Sequence, residues 1–283
     1  MHLLLIHTGG TIGMAEGPNG LAPVEGRVED AIRDALPEGM SLVSHVFRPL
    51  LDSADLGPHH WNEILDAIRA HAGMPVIITH GTDTMAFTGA ALIQALAGED
   101  RCVVLCGSML PLGQGGDAEG NLSLAIDAVR DNRPGIRLAF AGRLLEAGGL
   151  VKHDSHAADS FRTQPQAQPG PPGTRRFAQD RRIAILTLSP GMPAAALAGA
   201  LDHLDAAVLR VFGSGTAMSD PQILSALDKA VKAKKRIRAV SQCEAGGLTP
   251  GAYAAGAGLW STGVENGGLE TPEAALIHLW LNT

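Results

Sequence analysis

The chain has 283 residues, 45% of them hydrophobic and 4% aromatic, and carries a formal net charge of -7. That hydrophobic share rules out a disordered protein, and the length suits one large core or, better, two adjoining domains. The acidic balance and the scarcity of aromatics argue against DNA, RNA or an acidic membrane as partner. Phosphates require a clustered positive surface, and exposed bases a stacking face.

The first apolar run, residues 3–6, begins almost at once. It is too short for a signal peptide and lacks the basic head and cleavage site. No later stretch has the length of a transmembrane helix. Further strands are predicted at 76–79, 102–105, 137–140, 183–188, 207–212 and 238–240. The run at 102–105 sets Cys102 and Cys106 along one strand, too far apart for a bridge. With Cys243, the cysteines are sparse and odd in number, which fits a reducing compartment. A cytoplasmic location is therefore expected.

Helical patterns lie between these strands. Trp61, Ile64, Leu65 and Ile68 fall at i, i+3, i+4 and i+7, with Pro58 near the start. Residues 84–96, 121–129, 194–204 and 221–231 read the same way, and the basic run Lys229 to Arg238 is the polar face of the last. Apolar strands separated by helices predict an α/β fold with a parallel sheet covered on both faces. Right-handed crossovers then gather the strand-to-helix loops along one edge, where ligands bind. The segment 161–180 is rich in Gln, Pro and Gly and shows no periodicity, so it reads as an exposed connection. The expected organisation is a larger N-terminal domain at 1–165, a linker at 166–180 and a smaller C-terminal domain at 181–283.

Two strand ends carry residues suited to chemistry. The first runs into His7-Thr8-Gly9-Gly10-Thr11-Ile12-Gly13, where paired glycines permit a sharp turn with exposed N–H groups. That turn reads equally as structural or as an anion site. The second gives Thr79-His80-Gly81-Thr82-Asp83-Thr84, which could be a helix N-cap. A single cap, however, does not need a hydroxyl and a carboxylate together behind a glycine. A hydroxyl becomes a useful nucleophile only when a base takes its proton. Lys152 could be that base, or a surface lysine.

Thr8-Gly9-Gly10-Thr11-Ile12-Gly13 and His80-Gly81-Thr82-Asp83-Thr84 resemble the signature segments of the bacterial-type L-asparaginase family, within the asparaginase/glutaminase superfamily. Ordered matches extend the resemblance over nearly the whole chain. They are Asp52-Ser53-Ala54-Asp55, Gly107-Ser108-Met109-Leu110-Pro111, the Lys152 region, Ser189-Pro190-Gly191, Ser241-Gln242-Cys243 and Thr271-Pro272-Glu273-Ala274. The spacing is similar to the cytoplasmic type I branch. The resemblance implies hydrolysis of L-asparagine to L-aspartate and ammonia through a threonine acyl-enzyme, without metal or cofactor. It implies Thr11 as one nucleophile and Thr82 as the second, with Lys152 and Asp83 completing the catalytic set. It also implies that Ser53, Ala54, Gly81, Thr82, Asp83 and Ser108 line the substrate. Ser53 would take the α-carboxylate, Asp83 the α-amine, and Ser108 would lie near the amide. A homodimer or dimer of dimers follows, with each site completed by a neighbour's second domain.

The chain departs from that pattern at several places. Leu21 stands where the family has a loop tyrosine that hydrogen-bonds the first threonine. The single tyrosine, Tyr253, sits in a sequence that reads as helical and packed. Ala54 replaces a polar residue, and Gly213-Ser214-Gly215-Thr216 stands for a Gly-x-Gly-Asn segment. The carboxyl end is short, which places Trp280 and Leu281 at an interface or an exposed edge. These departures keep two other readings open. One is hydrolysis of a different small amide such as L-glutamine, and the other is amino-acid binding without catalysis. His59, His60, His153 and His156 read as ordinary loop histidines rather than metal ligands. The G-x-G-x-x-A match at 113–118 follows no strand directly and does not read as a dinucleotide loop.

Overall fold

The structure, a computed structural model, describes residues 1–18 and 20–283; Asn19 lies outside the described residues. The chain forms two compact units, Met1–Thr163 and Gln164–Thr283. In the first, β1 (His2–Gly9) enters the core and is followed by the hairpin β2 (Met14–Gly17) and β3 (Gly20–Pro23). Then come α1 (Arg27–Ala35), β4 (Ser41–Leu51), α2 (Pro58–Ala70), β5 (Val76–Thr79) and α3 (Met85–Ala95). The unit continues with β6 (Cys102–Cys106), α4 (Ala118–Arg130), β7 (Gly135–Phe140) and β8 (Arg143–Glu146). It closes on the antiparallel pair β9 (Leu150–Lys152) and β10 (Phe161–Thr163).

The main sheet of this unit is 6-stranded in the order β4-β1-β5-β6-β7-β8. All neighbours are parallel except β7 and β8. Counting only the parallel strands in chain order, the spatial order is 2-1-3-4-5. The chain leaves β1 for one side of the sheet and returns on the other, so β1 and β5 border the topological switch point.

Helices cover both faces, which is why these strands are apolar throughout rather than alternating. Leu3, Leu5, Ile77 and Val104 pack with Val28 and Ile32 of α1 and Leu122 and Ile126 of α4. The alternate residues Leu4, Ile6, Ile78 and Leu105 are also fully buried and face the side on which α2 and α3 pack. The α/β fold with a parallel sheet is as the sequence predicts. Like β8 at the opposite edge and unlike the inner strands, β4 is only partly buried, because it forms the sheet's edge, and its burial alternates irregularly.

The second unit is built from β11 (Ile183–Thr187), α5 (Ala194–His203), β12 (Ala206–Val211), α6 (Pro221–Lys232), β13 (Arg236–Ser241), α7 (Ala257–Ser261), β14 (Glu265–Asn266) and α8 (Pro272–Asn282). Its 4-stranded parallel sheet runs β11-β12-β13-β14. Leu197, Leu201, Ile223 and Leu227 cover one face, and Ala275 and Leu279 of α8 pack on Ala206, Val208 and Val240.

Three sequence expectations need correction. The segment 161–180 is not wholly exposed: Phe161 and Phe177 are buried, and Phe161 meets Phe140 edge to face at 5.0 Å between ring centroids. Trp280 and Leu281 belong to the buried face of α8, because the Thr271 hydroxyl and Pro272 start a helix that turns them inward. Tyr253 is extended and 63% exposed, so it does not pack as a helical residue would.

The Phe140–Phe161 contact joins β7 to β10, the strand paired with the one bearing Lys152. Phe161→Ala should lower stability by about 3–5 kcal/mol, read as a fall in the urea midpoint.

Candidate active site

At the switch point the loops after β1 and β5 meet backbone to backbone. Gly10 has φ 90°, and a Cβ there would lie 2.5 Å from the Gly81 nitrogen. Gly81 in turn lies against Ser53, whose Oγ would be 2.6 Å from a Cβ on Gly81. Any side chain at either glycine would push these loops apart. Below them, Thr8 donates from its hydroxyl to the Thr79 carbonyl at 3.0 Å, and His7 Nδ1 lies 2.7 Å from Thr79 Oγ1. These buried bonds lock the carboxyl ends of β1 and β5 together.

The Thr82–Asp83 segment does not cap α3. Thr84 is the N-cap, and its hydroxyl donates instead to the Ser53 carbonyl at 2.6 Å. Thr82 Oγ1 accepts from Lys152 Nζ at 2.9 Å, and the same ammonium lies 2.6 Å from Asp83 Oδ1. Lys152 arrives on β9, in register with Phe161 of β10. Its side chain is 17% exposed, whereas that of Asp83 is 69% exposed. Thr82 is buried. The buried threonine hydroxyl, the lysine and the open carboxylate therefore form one connected group. The sequence reading of Lys152 as a surface lysine is excluded.

Thr11 opens a short 3-10 turn directly after Gly10 and is half-buried. Among the described residues no group accepts from its hydroxyl, in contrast to the engaged hydroxyl of Thr82. Leu21 lies on β3, across from Glu16, and is 46% exposed. Ser53 is buried at the start of the turn after β4, and Ala54 is exposed with its N–H held by Asp52 at 2.9 Å. Ser108 is buried after β6, and its hydroxyl donates to the Leu110 carbonyl.

Two residues that the sequence did not single out shape the loop after β6. Asp117 accepts from the N–H groups of Met109 and Leu110 at 2.9–3.1 Å and from Asn121 Nδ2 at 3.0 Å. Asn121 also donates to the Gly107 carbonyl at 2.9 Å and accepts from Ala141 N–H at 2.9 Å. Their signal in the sequence was weak: an acidic residue and an amide one turn apart at a helix start look like an ordinary cap.

His80, in the second strand-end segment, is fully buried between β5 and α3. Its Nδ1 lies 2.6 Å from the Gly81 carbonyl and its Nε2 lies 2.8 Å from Thr88 Oγ1, which also takes a bond from Trp61 Nε1 at 3.1 Å. Among the described residues no group of three or more His, Cys, Asp or Glu is placed to hold a metal ion. Cys106 is buried, which pushes its thiol up to about 12, and it is not a candidate nucleophile.

A hydroxyl held by an amine that is itself fixed by a carboxylate, beside a glycine turn, is the arrangement of hydrolases that attack a carbonyl carbon. Comparison with known proteins narrows this class. The family description "Asparaginase, N-terminal" matches residues 2–176, and "Glutaminase/Asparaginase C-terminal domain" matches residues 182–282. The chain is 30% identical to L-asparaginase 1 of Escherichia coli, over 98% of this chain and 90% of that protein. The solved L-asparaginase of Thermococcus kodakarensis superposes with a TM-score of 0.87 at 26% identity, covering 99% of this chain and 92% of that one. L-asparaginase I of Vibrio cholerae gives a TM-score of 0.83 at 29% identity, with the same coverage. The chain belongs to the asparaginase family and is an amidohydrolase by that membership.

Burial lowers the His80 imidazole from 6.5 to about 4, against the opposing effect of its bond to the Gly81 carbonyl. Between these values the unfolded chain binds a proton that the folded chain does not. The contribution of neutral His80 is thus complete above about 6.5 and is lost as pH falls towards about 4. The loss is bounded at roughly 3 kcal/mol. A His80→Asn variant should lose less stability than wild type between neutral pH and pH near 4, measured by urea melts at each pH.

Proposed function

We propose that the chain hydrolyses L-asparagine to L-aspartate and ammonia through a threonine acyl-enzyme, with Thr82 as the better supported nucleophile. The observation that carries this reading is the connected group of Thr82, Lys152 and Asp83. Lys152 Nζ, 2.9 Å from Thr82 Oγ1, is within reach of the hydroxyl proton, which the amine would take once it has given up a proton of its own, as the oxygen attacks the side-chain amide carbon. That proton then passes to the leaving amine, ammonia departs, and water hydrolyses the ester. Backbone N–H groups of the Gly10–Thr11 turn would receive the oxyanion.

The substrate's ends suit the surrounding groups. The exposed carboxylate of Asp83 can accept from an α-ammonium while its Oδ1 holds Lys152. The Ser53 hydroxyl and the amides near Gly81 offer donors for an α-carboxylate. Ala54 supplies only its backbone and shape. Thr11 remains a candidate for a second acyl transfer, but Leu21 cannot pass a proton to or from it. We further propose a cytoplasmic protein that assembles as a homodimer or dimer of dimers, as the family resemblance implies. No helix among the described residues is long and apolar enough to cross a membrane. L-Glutamine is the second reading, favoured by the looser amine surroundings at Ala54.

Lys152→Met should lower kcat for ammonia release from asparagine by about 10²–10⁴-fold in a folded protein. Full activity in that variant removes Lys152 from the chemistry. Leu21→Tyr separates the two threonines: kcat should stay essentially unchanged if Thr82 attacks, whereas a clear rise would assign the attack to Thr11. Running glutamine beside asparagine in the same assays decides the substrate.

A further inference from the structure

We propose that His80 is a positioning residue, whose Nδ1–H holds the Gly81 carbonyl and thereby aims the Thr82 backbone N–H and hydroxyl into the site. The inference rests on the reading that Thr82 takes part in amide hydrolysis.

The partners of His80 leave one arrangement of protons. Trp61 Nε1–H can only donate, so Thr88 Oγ1 accepts from it at 3.1 Å. The Gly81 carbonyl can only accept, so the atom facing it at 2.6 Å, His80 Nδ1, carries the proton. A neutral imidazole has a single N–H, which leaves Nε2 bare and makes Thr88 the donor to it at 2.8 Å. Full burial keeps the ring neutral, since desolvation pushes it down to about 4. The chain therefore runs one way, from Trp61 on α2 through Thr88 on α3 and His80 to the peptide between Gly81 and Thr82.

This peptide is where direction matters. The Gly81 carbonyl and the Thr82 N–H lie on opposite sides of one planar unit, so holding the first sets the second. Among the described residues nothing accepts from that N–H, which leaves it available to a ligand's carboxylate or to a developing oxyanion. A carbonyl that accepts a strong bond also polarises its own amide and makes the N–H a better donor. The next atoms along the chain belong to Thr82 itself. A rotation of this peptide would move the hydroxyl away from Lys152 Nζ, now 2.9 Å away. Packing alone does not require this polar arrangement, because an apolar side chain of similar volume would fill the same space.

The test is steady-state kinetics of asparagine hydrolysis by the full chain, with folding followed by circular dichroism. His80→Leu keeps bulk and removes the donor. It should lower kcat by about 10- to 100-fold with a much smaller change in KM. His80→Asn, whose Nδ2–H can reach the same carbonyl, should regain most of that loss. Wild-type kcat in folded His80→Leu overturns the proposal, as does an Asn variant no better than the Leu variant. A change confined to KM also overturns it. If His80→Leu does not fold, His80→Phe carries the test: it keeps a ring of similar size and removes the Nδ1–H that holds the Gly81 carbonyl. A roughly tenfold lower kcat is then expected, and an unchanged kcat overturns the proposal. A wild type inactive on every amide would sink the hydrolase reading and this proposal with it. An active wild type with unaffected variants would sink this proposal alone.

Discussion

The backbones of Gly10 and Gly81 touch where β1 and β5 leave the sheet, and everything in the candidate site is measured from that contact. A Cβ at Gly10 would lie 2.5 Å from the Gly81 nitrogen, closer than real Cβ atoms come. Only glycine lets the two turns close on each other. The contact occurs at the switch point because the chain winds outward on both sides of β1, leaving the crevice between β1 and β5 without a crossing connection. Thr11 and Thr82 each follow one of the touching glycines, so their separation is set by backbone geometry.

Around this contact the polar groups divide into two kinds. Most of those below and behind it are buried and paired: Thr8 with the Thr79 carbonyl, His80 with Gly81 and Thr88, Asn121 with the Gly107 carbonyl; His7 Nε2 is the exception, buried without a partner among the described residues. Such bonds are worth about 1 kcal/mol net, but leaving one unmade costs more, so they specify a single loop arrangement. Those above are open. Asp83 presents most of its side chain to solvent even while it holds Lys152, and Thr11 has its hydroxyl uncommitted among the described residues. A rigid floor under an open face is what binding and orienting a small zwitterion require.

Much of this was legible in the residues. Apolar strands such as 3–6 and 76–79 announced a sheet buried on both faces, and the residues at their carboxyl ends announced the site. Other parts were not legible, each for a physical reason. β4 is an edge strand mixing Ser, His, Arg and Pro with apolar residues, so it has no clean period. Phe161 and Phe177 lie in a stretch rich in Pro and Gln, and only the folded chain shows that single aromatics there are buried. Trp280 and Leu281 lacked context until α8 placed its apolar side on β12 and β13. Asp117 and Asn121 looked like a helix cap because their partners lie in a loop before the helix and in the turn after β7.

The sequence by itself determined the α/β class and the two strand-end segments, and through its resemblance set the expectation of a loop phenol where Leu21 stands. Those depend on local period, residue type and position along the chain. The resemblance in the sequence groups Lys152 with Thr82 and Asp83, but only the tertiary structure supplies the 2.9 and 2.6 Å contacts that join them, and shows that Ser108 commits its hydroxyl to Leu110. It also assigned His80 its single tautomer. These are questions of distance between residues up to 70 positions apart, and no local pattern encodes a distance. The hydroxyl, the amine and the carboxylate become one chemical unit only when the β9–β10 pair, packed against α3, brings Lys152 to the loop after β5.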